Sequence, residues 1–192
     1  AAYQLVSEAD SKSVFSFCMC PGGIIAPAST SQGELVVNGW SPSKRNNPYA
    51  NSGIVVNIER SDWKKFEKHG PLAAMYFQSA VEQQAFILGG GHFKAPAQRM
   101  TDFVNNKIST SLPDCSYVPG VTSAQVADAF PSLLAGCLRK GFQEFGKKMK
   151  GYYTQEAVIV AAESRTSSPV RIPRDRECLV HPQLKNLYPC GE

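Results

Sequence analysis

No stretch of the 192-residue chain approaches the roughly 20 consecutive apolar residues that a membrane helix requires. Its first residues, Ala1-Ala2-Tyr3-Gln4, offer neither the basic nor the apolar region of a signal peptide. Charge of one sign is scarce: 20 Lys plus Arg stand against 16 Asp plus Glu, a net of +4. That falls short of the concentrated basic face that nucleic acid demands. Histidine is sparse, and His69, His92 and His181 lie far apart with no metal-ligand spacing. There is no CxxC pair, GxSxG elbow, P-loop or HExxH helix, which removes the usual zinc, serine-hydrolase and nucleotide signatures. Gly89-Gly90-Gly91-His92 reads as a helix stop, because it lacks the strand–loop–helix setting of a phosphate loop. These absences lead us to expect a soluble, cytoplasmic protein with no membrane, nucleic-acid or metal partner.

What remains is ordinary globular composition, 43% hydrophobic and 19% charged. Six cysteines are too few for a disulfide scaffold, so most are expected to be reduced thiols. The first sixty residues read as short strands at 3–7, 14–19, 34–37 and 53–58, separated by Pro, Gly, Ser and Asn. Alternation in the second of these places Phe15, Phe17 and Met19 on one face, and Ser16, Cys18 and Cys20 on the other. Helices are expected at 72–88 (between Pro71 and Gly89), at 97–106, from a Ser123 cap toward Phe130, and from Pro131 to Gly151. Apolar stripes suggest Leu72, Met75, Tyr76, Ala80, Phe86 and Ile87 for the first, and Leu134, Leu138, Phe142, Phe145 and Met149 for the last. Residues 157–162 read as a strand buried on both faces. The resulting fold class is α+β: a mixed, mainly antiparallel sheet with several helices packed on it.

Three segments carry more polar detail than a turn needs. In Cys18-Met19-Cys20-Pro21-Gly22-Gly23, both sulfurs could meet one ligand or each other, and the glycines let backbone approach closely. Buried thiols before a hairpin turn would give the same pattern. Around Asn38-Gly39-Trp40-Ser41, Arg45 and Asn51-Ser52, amides and a guanidinium recur, although Asn-Gly alone signals only a hairpin. After the strand at 157–162 comes Glu163-Ser164-Arg165-Thr166-Ser167-Ser168-Pro169-Val170-Arg171. There Arg165 and Arg171 offer forked donors and the Ser/Thr run offers hydroxyls; an ordinary Ser/Thr turn is the alternative. The cations of 139–150 read as a solvated helix face that complements the helix dipole. A rival reading makes that helix the surface of a stand-alone module that binds RNA or an acidic partner.

Together these three segments resemble uncharacterised bacterial FAD-dependent dehydrogenases. The closing Leu187-Tyr188-Pro189-Cys190-Gly191-Glu192 is similar to the start of that family's second flavin-contacting motif. The resemblance implies that residues 1–192 are a single C-terminal, substrate-side domain cut from a larger FAD-dependent oxidoreductase. Its partners would be an N-terminal GxGxxG domain that holds the ADP half of FAD, and an unknown small-molecule substrate. Lacking that loop, the domain is expected to be inactive alone and not to bind FAD tightly. The resemblance also makes Cys18 and Cys20 candidate catalytic residues. It places Pro21, Gly22, Gly23, Asn38, Gly39, Ser41, Arg45, Asn51, Ser52, Arg165, Thr166, Ser167, Ser168 and Arg171 toward substrate or flavin. It assigns Gly191 and Glu192 to the cofactor.

Overall fold

A computed structural model describes residues 5–190; the expectations that fall on Tyr3, Gln4, Gly191 and Glu192 lie outside the described residues. The chain is α+β as expected. Strand β1 (Leu5–Ala9) turns through Asp10 and Ser11, both at positive φ (51° and 66°), into β2 (Lys12–Cys20). Two consecutive positive-φ residues match the twist of a tight antiparallel hairpin. β2 also pairs antiparallel with β5 (Asn51–Val56), giving the order β1-β2-β5. β3 (Ile24–Pro27) and β4 (Val37–Trp40) form a second antiparallel sheet. Thus Asn38-Gly39 lies inside a strand, opposite Ala26 and Ile25, and is not a hairpin turn.

Helix α1 (Ala73–Leu88) follows a 3-10 segment over Lys64–Leu72. Its inward residues are Ala73, Phe77, Val81, Glu82 and Ala85, whereas Leu72, Met75, Tyr76 and Ile87 of the expected stripe are exposed. Apolar residues surround most of α1, so their spacing alone does not set its rotation; small alanines and a paired glutamate occupy the inner face instead. The helix expected at 97–106 is corrected to a strand, β6 (Ala95–Arg99), followed by one short helix, α2 (Met100–Val104). β6 is central: β7 (Val121–Ser123) pairs with it in parallel and β8 (Val158–Val160) antiparallel. Pairing on both sides overrides the poor strand preference of Ala-Pro-Ala. Ser123 ends β7 and caps no helix; its hydroxyl donates to the Ser109 carbonyl, and only a 3-10 turn follows at Val126–Ala129. β8 is a half-buried edge strand, so the expectation of a strand buried on both faces fails, while Ala161 and Ala162 just beyond it are buried.

Helix α3 (Ser132–Lys148) begins directly after Pro131, and Leu134, Leu138, Phe142 and Phe145 are buried as expected. Met149 lies past its end and is 40% exposed. α3 packs on the first sheet, where a Cβ on Gly141 would stand 2.6 Å from Val14 Cγ1, so only glycine permits this approach. The inward face of β2 is therefore Lys12, Val14 and Ser16, not the phenylalanines. Lys12 is tolerated there because its ammonium sits 2.7 Å from the Asp62 carboxylate, itself almost fully buried.

Candidate functional site

Between Phe17↔Gly53 and Cys20↔Asn51 the register of β2 slips by one residue, and Cys18 adopts φ 50°. This bulge re-aims the strand. Cys18 is exposed and Cys20 half-buried, so the simple alternation that would put both on one strand face does not hold. The turn that follows needs its glycines. A Cβ on Gly22 (φ 59°) would stand 2.1 Å from the Arg45 carbonyl oxygen. The Gly23 amide donates to the Tyr49 carbonyl at 3.0 Å, and the Ser41 hydroxyl to the Pro21 carbonyl at 3.2 Å. Pro21, Gly22 and Gly23 thus rest on the 41–50 loop, whose Arg45 side chain is exposed.

The Asn51 carboxamide lies between two glycines. A Cβ on Gly23 would come within 2.5 Å of its Nδ2, and one on Gly39 within 2.0 Å of its Oδ1. Both amide atoms are buried and neither has a hydrogen-bond partner among the described residues. A buried, unmatched carboxamide costs about 1–3 kcal/mol, so it marks a place where the fold alone leaves bonding capacity unused. The Tyr152 hydroxyl donates to Ser16 Oγ at 3.5 Å, and burial pushes that hydroxyl above its ordinary range. Asn38 and Trp40 are exposed at the rim.

Past β8 the chain forms a strap. The Ala161 amide donates to the Pro96 carbonyl (3.1 Å), and the Val37 amide donates to the Ala162 carbonyl (2.9 Å), tying the third sheet to the second. Glu163 then reaches the first sheet: its Oε2 lies 2.7 Å from where a Gly53 Cβ would stand, beside the Phe17 ring. Burial pushes its carboxyl above the usual range. Cys18 is affected in turn. Partial loss of water around its sulfur pushes this surface thiol up, and the neighbouring Cys20 and Glu163 push it the same way.

The next residues turn to the opposite neighbour. Ser164 Oγ donates to Glu82 Oε1 (2.6 Å), Gln78 Nε2 donates to the Ser164 carbonyl (2.6 Å), and Arg165 donates to both Glu82 oxygens (3.0 and 2.7 Å). Arg165 also donates to Thr30 Oγ1 (2.6 Å) and lies 3.6 Å from Glu34. An anionic ligand would have to compete with two carboxylates for this guanidinium. Arg165, Ser167 and Ser168 line an open cleft of about 610 Å³ along α1, to which none of residues 18–23 or 38–53 contributes. Thr166 and Arg171 are exposed. The structure therefore gathers the first two segments and adds Glu163, while Arg165, Ser167 and Ser168 belong to the neighbouring cleft.

Sequence reasoning gave no role to Glu163, Tyr152 or Glu82. Glu82 left a signal: a carboxylate between Val81 and Ala85, on the face of α1 that turns inward. Glu163 stood at the head of the third polar segment, but neither it nor Tyr152 showed which groups it would meet, because those lie more than a hundred residues away in the chain.

Residues 1–166 match the family described as FAD-dependent protein, C-terminal domain-like. An uncharacterized protein from Clostridium beijerinckii is 39% identical over 196 residues, an alignment that takes in all of this chain and 36% of that protein. The chain thus spans little more than a third of the length of this relative. With its bulged cysteine strand, its glycine turn and the strap through Thr166 inside the matched region, the chain belongs to the FAD-dependent protein, C-terminal domain-like family.

Proposed function

We propose that this domain forms the substrate-side wall of an FAD-dependent oxidoreductase, covering the flavin ring while another part of the polypeptide holds the nucleotide. The observation that carries this reading is the Asn51 carboxamide, buried without a partner among the described residues in a cradle of Gly23 and Gly39. Those residues fit a flat, polar heterocycle: a carboxamide offers both donors and an acceptor, and backbone without side chains leaves room for a plane. Asn51, Pro21–Gly23 and Asn38-Gly39 would hold the flavin edge. Bound FAD supplies the two-electron acceptor.

The chain's own residues would shape and orient what reacts there. Cys18 and Cys20 stand at the rim as candidate redox or pocket residues. Arg45 is exposed, and its guanidinium makes no ion pair among the described residues, so it is better placed than Arg165 to anchor an anionic substrate group. No described helix is long and apolar enough to cross a membrane.

The intact reading-frame product, purified gently, is expected to be yellow with a flavin absorption spectrum; a colourless product overturns the reading. FAD titrated into the 192-residue chain alone should show no binding at micromolar concentration. In the intact protein, Cys18→Ser and Cys20→Ser should each abolish turnover with unchanged circular dichroism. Full turnover would reduce both to packing.

A further inference from the structure

Asn51 and Gly53 stand two residues apart on β5, and the bulge lies in β2, so β5 keeps its alternation there. The two residues therefore face the same side of the first sheet, about 7 Å apart by the rise of a strand. Phe17 is paired with Gly53 and shares that side. The absent side chain of Gly53 leaves room for the Glu163 carboxylate: a Cβ there would stand 2.7 Å from Oε2 and 2.9 Å from the Phe17 ring. Glu163 is held at this point from both directions. The Ala162 carbonyl before it accepts from the Val37 amide (2.9 Å), and the Ser164 carbonyl after it accepts from Gln78 Nε2 (2.6 Å). Among the described residues no group donates to this half-buried carboxylate, whereas Ser164 and Arg165 are both fixed to Glu82. The titratable groups on the surrounding elements are Cys18 and Cys20 on β2 and the already bound Glu82 on α1. Arg165 is directed at Glu82 and Glu34, and Tyr152 lies across the sheet with Ser16.

We propose that Glu163 is the proton store of the flavin-facing site: it takes up one proton when the flavin gains two electrons and returns it on reoxidation. This deepens the flavin reading and rests on it. With the flavin edge at Asn51, added electrons put negative charge on the side of the sheet that carries Glu163. A second negative charge close by favours the protonated carboxyl. Across a few ångströms of half-buried protein, one such charge changes a proton affinity on the order of tenfold or more. Burial of the carboxyl acts in the same direction. In the uptake step a proton from water bonds to a Glu163 oxygen. The two electrons come from the substrate or another two-electron donor and stay on the flavin, and no bond of the protein breaks. Reoxidation breaks the new O–H bond and returns its proton to water.

The test is a redox titration of the intact protein with dithionite, read by flavin absorbance and repeated across pH. Each proton that accompanies two electrons tilts the midpoint potential by about 30 mV per pH unit. Over an interval of at least about one pH unit, the wild-type plot should be steeper than the Glu163→Gln plot by that amount, and parallel to it elsewhere. Glu163→Asp, which keeps a carboxyl, should keep a steeper interval, moved along the pH axis. Parallel plots at every pH overturn the proposal. So does loss of the steep interval in Cys18→Ser with Glu163 intact, which would give the proton to the thiol. If Glu163→Gln does not fold or loses its flavin, wild type decides: the reduced-minus-oxidised infrared spectrum should gain a protonated-carboxyl band that shifts in heavy water. No such band overturns the proposal. A colourless protein overturns the flavin reading and this proposal with it; a flavoprotein with parallel plots overturns this proposal alone.

Discussion

The two sides of the 163–168 strap make opposite use of polar groups. Toward α1, every charge is matched: Glu82 is 2% exposed and accepts from Ser164 and from two nitrogens of Arg165, while Thr30 takes a third. Toward the first sheet, the Asn51 carboxamide is buried with no partner among the described residues, and Glu163 is half-buried with burial pushing its carboxyl above the usual range. A fully satisfied network serves the fold, because breaking it leaves a charge uncompensated. An unsatisfied one costs stability and is retained where a ligand can complete it. That contrast, more than residue type, separates the candidate site from the cleft next to it.

The comparison can be broken most sharply at Arg165. Arg165→Ala strands Glu82 in the interior and should cost about 3 kcal/mol in urea unfolding, the low end for a buried pair because the guanidinium is 32% exposed. A cost below about 1 kcal/mol would mean that the pairing is ornamental. Next comes Gly39→Ala, whose Cβ would fall 2.0 Å from Asn51 Oδ1; displacing that amide should cost about 2 kcal/mol by the same measurement.

Asn51→Ala should behave differently. Removing an unmatched amide offsets the cavity it leaves, so stability should change by no more than about 1 kcal/mol, while flavin retention in the intact protein drops. A large loss of stability with flavin retained would assign Asn51 to the fold. The smallest effect concerns pH. Burial raises the Glu163 carboxyl, so the folded state holds that proton more tightly than the unfolded state does. Stability is therefore lost as pH rises from the ordinary carboxyl range through the raised value. Glu163→Gln should raise Tm at neutral pH and lose that advantage in acid, read by calorimetry at both pH values.

The cations of α3 show how a sequence pattern can be read correctly in kind yet lack its partners. Arg139 donates to the Phe103 carbonyl and Asn106 and lies over the Phe103 ring; Lys147 pairs with Glu144, Lys140 with Asp10, and Lys148 reaches the Val6 carbonyl. The helix, its dipole-favoured basic end and its apolar stripe were legible from spacing. That its charges mostly bind the protein's own chain was not. The three polar segments were visible as local clusters of Gly, Asn, Cys and Ser, and the first two do converge on one site. The third divides, and nothing in Glu163-Ser164-Arg165 states that the first turns to a sheet and the next two to α1.

Local chemistry by itself determined the long α3 helix and, through the run of short early strands, the α+β class, since each element follows from the spacing of neighbours within a few residues. Only the tertiary structure decided which face of α1 is buried, that Ala95–Arg99 is a strand, and that Glu163 reaches Gly53 and the Phe17 ring of the first sheet. These outcomes depend on groups far apart in the chain, whose attraction or exclusion exists only after packing brings them together.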